Sequence, residues 1–174
     1  MPGCISPSNP VEQQLMNDIR LARSLYFVVA GFYHCGAIPA LLEECQQPRD
    51  LQLRVISTAS GIRKFPFDLE SFLDTDYKSI RLLREEHLFP QPFLHMVFQQ
   101  GSCTVQLPDV ADQWDLSSAD FLQQISEEHV HYSDKQNPDA QYQLAKLMDE
   151  SYLLTLSELN GYQQSFREQL SICA

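Results

Sequence analysis

Between Leu25 and Leu42 the chain runs for eighteen residues without a charged side chain (LYFVVAGFYHCGAIPALL), and any fold it adopts has to cover this run. The length sits at the lower edge of a membrane-spanning helix. His34 near its middle, the diluting Gly31 and Gly36, and Pro39, which would strand a backbone carbonyl in lipid, all argue against a span. The reading adopted is a buried helix from Pro10 to about Cys35, capped by Ser8 or Asn9, with Glu12 at the positive end of its dipole. Gly36 ends it in the left-handed conformation, and a short helix follows over Ala37 to Gln46 with Pro39 in its first turn. The helix over residues 10–35 is expected to be the most buried element.

Downstream, Leu51, Leu53 and Val55 alternate with Gln52 and Arg54, the pattern of a half-buried strand. Asp68 is placed to cap a short helix through Leu73, and Asp74 or Thr75 to cap a second through Tyr77, Ile80, Leu83 and His87, with Arg81 and Glu85 paired on its surface. Pro90 and Pro92 stop it. Gly101-Ser102 between Phe93–Phe98 and Cys103–Leu107 suggests a two-residue hairpin, with the strand at 51–57 as its third member; the alternative is a helix to Gln100 with an extended segment after it. Ser117 can cap a helix carrying Phe121, Leu122 and Ile125. Finally Ala145, Met148, Tyr152, Leu156, Leu159, Tyr162, Phe166 and Leu170 step by three and four, which predicts a helix over 139–172 that either breaks at Asn160-Gly161 and folds back or projects and offers its stripe to another subunit. The fold class expected is mainly α (α+β): a helical domain with a small antiparallel sheet or hairpin. Residues 1–9 read as a flexible arm and 10–174 as a single globular domain.

Charge separates the chain more sharply than any motif. Residues 1–64 hold six basic and five acidic side chains, residues 65–174 six and eighteen, so the net charge of −11 arises wholly in the later part. From Glu85 to Asp134 there are nine carboxylates and neither Lys nor Arg. Nucleic acid, whose binding rests on cationic contacts to phosphate, is disfavoured as a partner for such a surface. A protein with a basic surface would be steered toward it. Trp114 lies in this segment among Asp109, Asp112 and Asp115, an aromatic anchor ringed by charge, and these four are the candidate partner-binding residues. Phe166 and Leu170 close the C-terminal stripe and are candidates for a second contact, including a homodimer.

Signals for chemistry are sparse. Five cysteines form no CxxC pair, which points to free thiols in a reducing, cytoplasmic compartment. His34, Cys35 and Cys45, and His129 with His131, lack zinc-site spacing, and the six glycines form no phosphate-cradling loop. No metal, cofactor or catalytic residue is expected. Tyr26, Phe27, Phe32, Tyr33, Phe89, Phe93 and Phe98 could instead line an apolar pocket. Arg23-Ser24-Leu25-Tyr26 opening an apolar helix, and Leu83 to Phe89 followed by Pro90, are similar to segments of the helical chaperones that mature bacterial molybdoenzymes. The acidic Asp-His motif of those chaperones has no counterpart here, and no family is assigned. The function expected is that of an intracellular protein-binding regulator, adaptor or chaperone using residues 85–134. The alternative is a small-ligand-binding or catalytic domain built on the aromatic pocket.

Overall fold

A computed structural model describes residues 10–29, 51–106 except 65, 68 and 74–76, and 138–172. Its elements in chain order are α1 (Pro10–Leu21), β1 (Ser24–Val28), β2 (Gln52–Ser57), α2 (Ala59–Lys64), β3 (Lys78–Leu83), β4 (Phe93–Val97), β5 (Ser102–Gln106), α3 (Pro138–Asp149), β6 (Ser151–Leu153) and α4 (Leu156–Ile172). Short 3-10 turns stand at Glu70–Phe72 and Glu86–Leu88. All six strands join one sheet in the order β5-β4-β1-β2-β3-β6. The central trio β1, β2 and β3 is parallel, and β4, β5 and β6 are added antiparallel to their neighbours.

This is an α/β fold, and it overturns the mainly helical reading. The decisive segment is Ser24–Val28. A strand buried on both faces carries apolar residues at every position, so its sequence has no period to distinguish it from a buried helix. Leu25 and Phe27 point to one side of β1 and Val28 to the other, and all three are buried. The helix expected over 10–35 therefore stops at Leu21. Lys78–Leu83 fails for the same reason: Ile80 with Leu83 looks helical, yet Ile80 and Leu82 share one face of a strand while Leu83 is buried on the opposite face. Arg81 consequently has no helical partner in Glu85. Its guanidinium donates instead to the Ser151 hydroxyl (2.9 Å) and carbonyl (2.8 Å) and to the Met148 carbonyl (3.2 Å).

The long helix expected over 139–172 is likewise two helices with β6 between them. Ser151, Tyr152 and Leu153 pair with Leu83, Leu82 and Arg81, so Tyr152 leaves the helical stripe to lie in the sheet. Gly161 sits inside α4 and makes no break. With a sheet at its centre, the molecule does not share the helical architecture of the molybdoenzyme chaperones. The strand at 52–57 does form, but it lies in the middle of the sheet beside β1 and β3 rather than against the hairpin. The hairpin of β4 and β5 also forms and pairs with β1. Its turn takes four residues, Phe98 to Gly101, with the Phe98 N–H donating to the Gly101 carbonyl at 3.0 Å. Gly101 has a φ of +92°, a conformation that a residue with a Cβ rarely adopts. The region 68–73 holds the 3-10 turn Glu70–Phe72 in place of a capped helix. The arm 1–9, the short helix at 37–46 and the helix after Ser117 lie outside the described residues.

Two cores result. On one face Leu25, Phe27, Leu53, Val55, Ile80, Leu82, Leu94, Met96 and Val105 are sealed by Ile19 of α1, Ile62 of α2, Leu69 and Phe72 at the 3-10 turn, and Leu159 of α4. On the other, Val28, Ile56, Leu83 and Phe93 pack under Leu144 and Leu147 of α3. Each fully buried Leu or Phe contributes about 1.5–3 kcal/mol relative to exposure.

Candidate functional site

Register places one row of polar and aromatic side chains across the α3 side of the sheet. Thr104 on β5 faces His95 on β4, His95 faces Tyr26 on β1, and Tyr26 faces Arg54 on β2. The His95 Nδ1 and the Thr104 hydroxyl are hydrogen-bonded at 2.8 Å, the direction following the imidazole tautomer. The His95 and Tyr26 ring centres are 6.2 Å apart, and the Arg54 guanidinium lies 5.7 Å above the Tyr26 ring. His95 is only 2% exposed. Burial holds its pKa below the ordinary 6.5, so the ring is neutral at pH 7 and offers one donor and one acceptor. No carboxylate stands behind the imidazole among the described residues bonded to it. The row can hold and orient a polar group, but it lacks the orienting third member of a nucleophilic triad.

The carboxyl ends of the parallel strands form the second polar area. In open α/β sheets this is the end where ligands and partners are most often met. Ser57, which ends β2, is fully buried, and its hydroxyl has no hydrogen-bond partner among the described residues. Just beyond it the Thr58 hydroxyl accepts the Gly61 N–H at 3.1 Å. Glu86, in the turn after β3, reaches across to α2: one carboxylate oxygen accepts the Ser60 N–H and the other the Ser60 hydroxyl, both at 2.8 Å. The Ser60 N–H, first among the causes, lowers the Glu86 pKa below 4.5 and keeps the group ionised.

The acidic segment is anchored at this same end. Glu85 and Glu86 follow the carboxyl end of β3, and β5 ends at Gln106 opposite Phe93, which itself faces Val28 at the carboxyl end of β1. Of the segment's described carboxylates, Glu86 is engaged inside the chain, and Glu85 lies 4.0 Å from His87 on the surface. Asp109, Asp112, Trp114 and Asp115 lie outside the described residues, as do His34, Cys35, Cys45, His129 and His131. Among the described residues no group of three or more metal-binding side chains occurs.

The two remaining sequence candidates are on α4 and differ in surroundings. Phe166 is half-buried and meets Phe67 edge-on at 5.2 Å, beside Arg167, whose guanidinium stacks on the same Phe67 ring. Gln163, one turn earlier, donates to the Pro66 carbonyl (2.8 Å) and to a Glu70 carboxylate oxygen (2.6 Å), which ties the helix to the 3-10 turn. Leu170, beyond these ties, is 58% exposed. The described aromatic side chains proposed to share one pocket divide between the two faces: Phe27 and Phe98 belong to the core on one, and Tyr26, Phe89 and Phe93 to that on the other; Phe32 and Tyr33 lie outside the described residues.

Sequence reasoning passed over His95 and Gln163. His95 lies in an apolar hairpin strand, where alternation alone places it on one face with Phe93 and Val97, but only strand pairing brings it to Thr104 and Tyr26. Nothing local marks Gln163. Among the described residues no helix is long and apolar enough to cross a membrane. No family model matches the chain, and no curated protein matches it.

Proposed function

We propose that this protein is an intracellular, cytoplasmic binding domain, a regulator, adaptor or chaperone that docks a protein with a basic surface through residues 85–134. The observation that carries this reading is the charge distribution: nine carboxylates without a Lys or Arg over fifty residues, in a chain whose first 64 residues are near neutral. The fold supports it by anchoring both the Glu85 end of this segment and the chain leaving Gln106 at the carboxyl edge of the parallel strands. Trp114 supplies the apolar anchor, Asp109, Asp112 and Asp115 steer the encounter, and exposed Leu170 offers a second contact for a partner or another copy. The same negative surface disfavours nucleic acid.

The test is a pull-down from native lysate with mass spectrometry, followed by kinetics on the captured protein. Replacing Asp109, Asp112 and Asp115 together with Asn should slow association several-fold at low salt and leave the melting temperature nearly unchanged, because rim charges act on the encounter rate. Trp114→Ala should raise the dissociation rate. A partner retained equally by the triple variant at every salt concentration refutes the reading.

A further inference from the structure

At the opposite, amino-terminal edge of β1 and β2 the surface is concave. An open groove of about 700 Å³ runs where α1 ends, β1 and β2 begin and β4 finishes, with Arg20, Leu21, Arg23, Gln52, Val97 and Phe98 among its walls. A second hollow of about 580 Å³ continues it past Leu21 and Phe98 toward Asp18, Gln99 and Gln100. The volume is that of a small-molecule site, and the lining mixes apolar side chains with nearly as much polar surface.

The two guanidiniums give the groove its sign. Arg20 is in the last turn of α1, where a cation offsets the helix dipole, but Arg23 lies past the helix end and has no such role. Among the described residues no carboxylate lies within ion-pair distance of either. Among the described residues Arg20 reaches only the Asn17 side-chain oxygen, at 3.4 Å. Leu21, between them in sequence, is 71% exposed, an apolar side chain left in water at the mouth of the groove. The described carboxylates of the acidic segment, Glu85 and Glu86, follow the opposite, carboxyl end of the parallel strands, about 16 Å of strand away, whereas the screening length is about 8 Å at physiological salt.

We propose that this groove binds a small amphipathic anion, an acid group on an apolar body, with Arg20 and Arg23 taking the acid and Leu21, Val97 and Phe98 the apolar part. Gln52 supplies a neutral hydrogen-bonding group beside the acid. The site lies at the opposite end of the parallel strands from Glu85 and Glu86 and needs no protein partner.

The experiment is a fluorescence titration of the full chain with 8-anilinonaphthalene-1-sulfonate, alongside its uncharged relative N-phenyl-1-naphthylamine. Saturable one-to-one binding of the sulfonate, at least tenfold tighter than the neutral probe and weakening several-fold as salt rises, is the expected result. Arg20→Gln with Arg23→Gln should abolish that tenfold preference. Leu21→Glu, at a position exposed enough to leave folding intact, should weaken the sulfonate at least tenfold by placing a carboxylate in the groove. Absence of saturable binding, equal affinity for both probes, or sulfonate affinity unchanged in Leu21→Glu would overturn the proposal.

Discussion

The two faces of the sheet are made from the same strands, yet one is apolar across five of them and the other is divided. On the α4 side, successive strands present Leu25 and Phe27, Leu53 and Val55, Ile80 and Leu82, Leu94 and Met96, and Cys103 and Val105. On the α3 side an apolar band of Val28, Ile56, Leu83 and Phe93 lies next to the polar row of Thr104, His95, Tyr26 and Arg54. Because successive side chains alternate, a one-residue slip of any strand would exchange the two faces. The continuous face thus fixes the register, and the divided face, held in that register, can carry polar groups whose own contribution to stability is small. Stability and candidate chemistry are separated by the pleat.

Three measurements would break or sharpen this contrast. The largest effect is expected from the continuous face: Phe27→Ala, at a position with no exposure, should cost about 3–5 kcal/mol in urea denaturation. A loss under 1 kcal/mol would mean that this face does not hold the fold. The divided face should respond to pH. Burial depresses the folded-state pKa of His95 below 6.5, so the unfolded chain takes up the proton more readily. Stability from the neutral ring is complete above about 6.5, the unfolded value, and falls as pH drops toward the depressed folded value. His95→Gln should remove that part of the dependence, and a stability curve of unchanged slope between pH 7 and 5 in the variant would contradict the assignment. Glu86 titrates lower, its stabilisation being lost only as pH falls below 4.5 and through its depressed folded pKa. The smallest effect belongs to it: Glu86→Gln loosens an exposed tie to α2 and should cost about 0.5 kcal/mol, discounted for solvent screening. For a chain of this size that is a shift of about 1–2 °C in melting temperature. A shift above 5 °C would show that the tie between α2 and the β3 turn matters as much as the core.

How far the fold could be read in advance depended on burial. Gln52–Ser57 shows its exposed edge in Gln52 and Arg54, and the hairpin shows its turn in Gly101, so both were legible. Ser24–Val28 was misread because a strand covered on both sides displays no polar phase, and Lys78–Leu83 because Ile80 and Leu83, buried on opposite faces of such a strand, stand at helical spacing. The stripe from Ala145 to Leu170 hid its interruption, since the reason for it, β3 waiting for a partner at Arg81 to Leu83, lies about seventy residues earlier in the chain. Of the candidate site, the acidic segment was plain from composition. The polar row was not, because it joins residues 26, 54, 95 and 104, which meet only through strand order.

By itself, then, the sequence determined the local and the additive properties: the turn at Gly101, the alternation of Gln52 to Ser57, the apolar run that had to be covered, and the split of charge between residues 1–64 and 65–174. These follow from backbone stereochemistry, side-chain period and counting. Only the tertiary structure decided that the apolar run begins as the central strand of a mixed sheet, that Arg81 turns from a surface pair into a clamp on Met148 and Ser151, and that His95 is buried beside Thr104. Those outcomes rest on hydrogen-bond ladders between segments distant in sequence, and a ladder's partner is chosen by the whole set of strands that close around one core.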